Sequence, residues 1–581
     1  MIRSAGSDAP SGVGFQWPAA AHYLSFAAPL LALGCALLDP IDSVPPGRGS
    51  PSAASGGTAS SVGGAEGGLP TSGGNGDSTV NIGGSAGEVA VAPECEANAD
   101  CEPNSRCLPT GACVRLNTGT KGPCPKLIGG EFAHDPNAIF IGAFAPLDQS
   151  SVAARTISAI YEMATEEFND LGGLRDPLGK PSPLVVIVCN NSEEDTPDAL
   201  EHLFGEVRVP AVLAAMDPAQ LLAGFNAYPQ AFFVSAFPGS QELASVSKGR
   251  AWTMVGRPGD YADIYQALMP RAEALIHAEL RLAGGDRPIR VASVIETGSA
   301  FERELADAVL PQLTFNGLNA GVQPNNYRGY EVDNSAELKQ VVEDVYSQRP
   351  DIVLSFAGGL FTASNGGVMT SLNQADWPAQ RPLYILSPEN AENGADVGDE
   401  LERLRKIDHK DHSGRVLGVG PAGPPSGKTD ALTDFWLHLP LQYPDASPDF
   451  GNYYDAFYFL IYAIYASPRP AFLNGYVNAA DLTRSMFRLT SLGKPRYDIG
   501  PNDISQVFDV LTGPDSEIEL DGTMGVPDFD RNTGMRRGAG SIYCFDSARL
   551  TIQKDVIRYN RDTKQLEQIP LPLCLINFLN Q

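Results

Sequence analysis

Short apolar runs alternate with roughly 10–15-residue helical stretches twice over in this chain, and that rhythm restricts the fold more than any other feature. Ile139–Ala145 is an apolar strand, and Ile157, Ile160, Ala164 and Phe168 then recur at helical spacing until Gly172-Gly173. Leu184–Val188, Val209–Ala214 and Phe232–Ser235 are the next strands, with a helix from Pro218 between the last two. Asp260 is expected to cap a long helix carrying Ile264, Leu268 and Leu275. A second series follows, with strands at Ile289–Ile295, Ile352–Phe356 and Leu383–Leu386 and a helix over 299–312. Strands buried on both faces and alternating with helices predict an α/β chain with mostly parallel sheets flanked by helices. Two such series predict two lobes, with ligands at the carboxyl ends of the strands.

The chain has 581 residues, enough for two or three domains, and a formal net charge of −28. That balance argues against binding a phosphate backbone, so no nucleic-acid partner is expected. The apolar stretch Tyr23–Gly34 ends at Cys35 and is too short to span a bilayer comfortably. A small residue before a Cys is similar to the bacterial lipoprotein cleavage box, with Cys35 as the lipidated first residue; ordinary secretion is the alternative. The expected address is the periplasm or cell surface, with the membrane touched only through the lipid.

Nine cysteines are present, and setting Cys35 aside leaves an even number, as an oxidising compartment favours. Cys95, Cys101, Cys107 and Cys113 recur at a constant interval unlike that of zinc sites, with no His within the run, so two disulfides of open connectivity are expected. Cys544 and Cys574 flank an expected hairpin and form a candidate pair, which leaves Cys124 with Cys189. Residues 36–93 are rich in Gly, Ser, Ala and Pro and read as a flexible tether between the signal segment 1–35 and a Cys-rich segment 94–125.

Three stretches imitate chemistry. Ala422–Thr429 looks like a phosphate loop, but Pro424 and Pro425 lack the N–H donors that cradle phosphate. Asp528, Asp530 and Asn532 imitate a calcium loop, yet Thr533 stands where Gly is needed and Ala539 where the bidentate Glu is needed, so a turn between strands is the better reading. Asp408, His409, Asp411 and His412 read as a solvated loop. HExxH does not occur. No catalytic role, metal or cofactor is expected.

The order of the pieces resembles the type I periplasmic solute-binding proteins, the group containing the leucine/isoleucine/valine-binding proteins. The resemblance covers roughly residues 136–546. It rests on Pro146-Leu147 after the first strand, Glu166–Gly173, Val234-Ser235-Ala236 followed by Gln241-Glu242-Leu243, and Pro258-Gly259-Asp260. It rests also on Phe301, on the late helix opening Asn452-Tyr453-Tyr454-Asp455-Ala456, and on Gly522–Gly534. It implies interleaved lobes joined by three crossings, with 126–258 plus 416–522 in the first and 259–415 plus 523–581 in the second. It also implies a small molecule held between the lobes, delivered to an ABC-type permease or sensed on behalf of a signalling partner.

The residues expected at that ligand are Asp148, Gln149, Ser150, Met216, Asp217, Ser235, Ala236 and Phe237 from the first lobe. Thr297, Ser299, Phe301, Gly359 and Phe361 are expected from the second. Asp217 reads better as the N-cap before Pro218 than as a ligand group. Amino-acid binders of the group place a Thr where this chain has Gly239, and an acid after the glycine pair where it has Leu360-Phe361-Thr362-Ala363. Losing a hydrogen bond to a charged group costs about 1.5–3 kcal/mol, so an aromatic, apolar or neutral polar solute is as well suited as an α-amino acid.

Overall fold

The computed structural model describes residues 93–148, 152–175, 180–363, 366–377, 380–391, 394–423, 429–468, 477–538, 540–546, 548, 550–561 and 563–568. Cys35, the tether up to residue 92, Gln149, Ser150 and Cys574 lie outside them. Among the described residues no helix is long and apolar enough to cross a membrane.

The Cys-rich segment forms a hairpin of β1 (Ser105–Cys107) and β2 (Cys113–Arg115), closed by Cys95–Cys107 and Cys101–Cys113. The sulfurs of Cys95, Cys101 and Cys113 gather within 4.8 Å, but each is already in a disulfide and none offers a thiolate to a metal. The segment has too few apolar residues for a core and docks instead. Arg106 lies 4.8 Å over the Phe140 ring, Asn98 donates to Asp135 O at 2.9 Å, and His202 Nε2 meets Leu116 O at 3.0 Å.

The first lobe starts with β3 (Lys126–Ile128), β4 (Ile139–Ala145), α1 (Val152–Asp170) and β5 (Leu184–Asn190). β6 (Val212–Ala214), α2 (Pro218–Ala227), β7 (Phe233–Pro238), α3 (Gln241–Ser247) and β8 (Ala251–Val255) continue it. β6 starts later than its apolar run because Pro210 has no N–H for a ladder. Cys124–Cys189 ties the segment before β3 to β5, as expected.

The second lobe holds α4 (Ala262–Leu282), β9 (Val291–Glu296), α5 (Ala300–Val309), β10 (Tyr327–Val332) and β11 (Ile352–Phe356). β12 (Leu383–Leu386) and β13 (Val416–Pro421) follow. The chain then returns to the first lobe for α6 (Asp430–Gln442), α7 (Gly451–Ala466), α8 (Ala479–Leu489), α9 (Ile504–Leu511), β14 (Phe529–Asp530) and β15 (Met535–Arg536). β16 (Gly540–Phe545), β17 (Ile552–Asn560) and β18 (Gln565–Gln568) finish the second lobe. Cys544, on β16, is disulfide-bonded.

Among the described residues each lobe has an eight-stranded sheet, ordered β14-β15-β8-β7-β6-β4-β5-β3 in the first and β10-β9-β11-β12-β13-β16-β17-β18 in the second. Pairing is parallel through the middle and antiparallel at β3, β14 and the β16–β18 meander. The chain therefore crosses between lobes three times, after β8, after β13 and after β15.

Sheet membership differs from the expected division at two of these crossings, by one strand at the second and by two at the third. Val416–Pro421 belongs to the second sheet, since it pairs with Tyr384–Leu386 on one side and with β16 on the other. Phe529–Asp530 and Met535–Arg536 belong to the first, through Thr253 and Met535. A strand with both edges in a ladder leaves no backbone polar group to water, so pairing outweighs the spacing of loops. Asp260 is not the cap of the long helix. It sits in the 3₁₀ turn Pro258–Tyr261 and accepts from Arg257 N–H at 3.0 Å and Gly538 N–H at 3.2 Å.

α7 is the buried axis of the first lobe, with Tyr454 and Tyr458 donating to the Glu167 carboxylate of α1 at 2.7 and 3.0 Å. Its Asp455 accepts from Thr523 N–H and Met524 N–H at 2.8 and 3.3 Å, fixing the loop that leads to β14. The three imitative stretches resolve in part. Thr429 caps α6, Asn532 N–H folds back onto Asp530 in the β14–β15 turn, and Asp408 pairs with Arg381 and His412 at 3.0 and 2.7 Å. Residues 424–428 lie outside the described residues.

Candidate functional site

The carboxyl ends of the two parallel sheets face one another. Gln241 N–H, at the start of the helix after β7, donates to both oxygens of Glu304 on the helix after β9, at 3.1 and 3.2 Å. The loops at these ends line the space between the lobes, where open parallel sheets bind ligands.

On the first edge, Asp148 is exposed beyond β4. Met216 is buried in the outer core, while Asp217 caps α2, accepting from Gln220 N–H at 2.8 Å. The cap reading of Asp217 therefore holds. Ser235 is fully buried. Its hydroxyl donates to Ala214 O and accepts from Phe237 N–H, both at 3.1 Å, so it shapes the β7 loop from within. Ala236 is buried and its carbonyl accepts from Asn452 Nδ2 at 2.9 Å. Phe237 is half-buried, edge-to-face with Tyr453 at 6.2 Å, and is the aromatic surface this edge presents.

On the second edge, Thr297 donates to Asp333 at 3.2 Å and Ser299 caps α5 by accepting from Glu302 N–H at 3.2 Å. Phe301, a residue expected at the ligand, packs instead into the second-lobe core. The spacing of Phe301, Leu305 and Val309 puts all three on the buried stripe of α5. Phe361 likewise turns inward, edge-to-face with Tyr384 at 6.1 Å. Gly359 is exposed, with no atom within 4 Å of where a Cβ would stand.

The structure adds a group that sequence order concealed. Glu296 ends β9, Glu302 lies in the first turn of α5, and Glu389 follows β12, so three carboxyl groups converge beside Gly358. Glu302 is fully buried and accepts from the Ser387 hydroxyl. Burial first, then the charge of Glu389, pushes its carboxyl well above the usual range. Burial also raises Glu296, opposed by the N–H of Gly358. Asn390 fixes the loop, donating to Ala357 O at 3.1 Å and Gly358 O at 2.7 Å. A Cβ at Gly358 would come within 2.6 Å of Glu389 Oε2. None of the three stands directly after the glycine pair; they come from the end of β9, the first turn of α5 and the segment after β12. The signal available in the sequence was that Glu296 and Glu302 flank a strand end; Glu389 gave none.

No protein-family model matches the chain, and no curated protein does. Solved structures similar to it include a leucine-binding protein from Thermotoga maritima, at 12% identity and TM-score 0.48, covering 73% of this chain and 100% of that one. Another is a branched-chain amino acid transporter substrate-binding protein from Streptococcus pneumoniae in complex with isoleucine, at 12% identity and TM-score 0.46, covering 72% and 98%. A solute-binding protein of an ABC transporter from R. palustris in complex with 4-hydroxybenzoate gives 10% identity and TM-score 0.47, covering 73% and 97%. What the cleft of this chain can hold follows from its own residues.

Proposed function

We propose that this chain is an extracytoplasmic solute receptor whose two lobes close on a small amino-acid-like, polar or aromatic molecule for ABC-type uptake. It is anchored through a lipid on Cys35 and catalyses nothing. The observation that carries the reading is the pair of parallel sheets, joined by three crossings, with their carboxyl edges facing. Such edges bring loop N–H groups and helix caps toward one space without calling for a catalytic dyad. Phe237, backed by the buried Tyr453, would bound the ligand on the first lobe, and Glu296 and Glu389, with Glu302 buried behind them, would favour a solute with N–H or O–H donors on the second.

Ligand sensing without transport is the second reading. The Cys-rich segment favours it, since its docked hairpin adds a rigid surface that closing on a solute does not require. A thermal-shift screen of the full chain against amino acids, short amides, aromatic acids, sugars and short peptides tests the receptor reading. Binding to the folded state alone adds about 2.7 kcal/mol at a hundredfold excess over Kd. A shift with one chemical class is expected. A protein that melts cooperatively and shifts with none of them would overturn solute binding.

A further inference from the structure

We propose that Glu304 is an interlobe latch that holds the cleft edges together before any solute arrives. The inference rests on the two-lobed receptor reading but needs no ligand to be tested. α3 starts at the carboxyl edge of the first sheet, and Ser240 caps it by accepting from Leu243 N–H at 3.0 Å. The Gln241 N–H belongs to the first turn, where a helix supplies no acceptor of its own. Both oxygens of Glu304 take that donor, 63 residues away in sequence and in the other lobe. The backbone that carries Glu304 moves only with its lobe, because Phe301, Leu305 and Val309 anchor α5 in the second-lobe core.

The contact is wired to the crossings. Arg257, in the first crossing, donates to Gln241 Oε1 at 3.2 Å; burial raises the Glu304 carboxyl, and the Gln241 N–H and then the Arg257 charge oppose that rise. Asp260, one turn on, takes N–H donors from the first crossing at Arg257 and from the third at Gly538, and pairs with Arg561 at 2.7 Å. Asp260 and Asp307 are the negative charges that oppose the latch. Opening the lobes at this edge would strip the Gln241 N–H of its protein acceptor and return the half-buried Glu304 carboxylate to water, so the hydrogen bond and the Arg257 charge, not burial, are what favour the closed edge. The latch therefore biases the free protein toward a closed arrangement, and a solute would enter by displacing it.

Three variants of the full chain test this, read by small-angle scattering and by hydrogen exchange of peptides over 256–260 and 536–540. Glu304→Ala removes the acceptor and Glu304→Gln keeps one oxygen without the charge. Gln241→Pro removes the backbone donor, and with it the side-chain oxygen that Arg257 meets, at a position where helices accept proline, and Ser240 before it is already extended at ψ 163. The expected result is a larger radius of gyration and about tenfold faster exchange at both crossings for Glu304→Ala and Gln241→Pro, the size of a charge-assisted hydrogen bond, with Glu304→Gln between. Wild-type radius and exchange in Glu304→Ala at unchanged Tm would overturn the latch. If Glu304→Ala misfolds, wild-type behaviour of Gln241→Pro does so. A solute that binds the parent while all three variants keep wild-type scattering and exchange sinks the latch and leaves the receptor reading standing. A screen without hits beside opened variants does the reverse.

Discussion

Asp455 shows how one side chain of α7 links pH to the integrity of the first lobe. It is buried, and burial outweighs its bonds to Thr523 and Met524 and the nearby charge of Arg536, raising it from 3.8 to about 6. A carboxyl raised on folding binds its proton more tightly in the folded state. Its contribution is therefore most favourable below about pH 4, declines as pH rises through 6, and is level above. Asp455→Asn removes this titration while keeping an oxygen for Thr523 N–H. The stability difference between variant and parent should move toward the variant by up to about 3 kcal/mol between pH 4 and 7. Chemical denaturation at several pH values measures it, and a difference that does not change with pH would refute the assignment.

At the scale of elements, the crossings after β8 and β15 are packed backbone to backbone. A Cβ on Gly256 would stand 2.4 Å from Gly538 Cα, closer than any real contact, and no flexible side-chain end is there to give way. Gly256→Ala is therefore expected to push the two crossings apart, lowering stability by about 1–3 kcal/mol and speeding exchange in both segments. Unchanged melting and exchange would mean that the crossings do not constrain one another. The buried Arg536 reinforces the same junction, donating to Met254 O at 3.1 Å and Met524 O at 2.9 Å.

Across the whole molecule, neither lobe completes its core from one continuous stretch. The first-lobe core joins Ile141, Leu184 and Val188 of the early strands with the late residues Phe457, Leu482 and Phe529. The second joins Ile264, Leu354 and Val419 with Ile542 and Ile557 from the end of the chain. Unfolding one lobe therefore pulls on segments that the other holds in place, and calorimetry of the full chain should show a single main transition. Two well-separated transitions would mean that each lobe is stable without its returning segment.

The strands at Ile139–Ala145, Ile352–Phe356 and Leu383–Leu386 were legible in the sequence because apolar runs buried on both faces carry their own signal. The same holds for the helix stop at Gly172-Gly173, where φ is +90° and +67°, and for the Asp217 cap, both set by local backbone chemistry. The cysteine rhythm announced a disulfide segment but not its pairing. What only the tertiary structure decided is where distant segments meet. Val416–Pro421 chose its sheet by pairing, Phe301 and Phe361 turned inward because helix packing fixes which stripe is buried, and Glu389 joined Glu296 and Glu302 because three strand ends converge. Local propensity is written in neighbouring residues, whereas pairing and burial depend on partners far away along the chain.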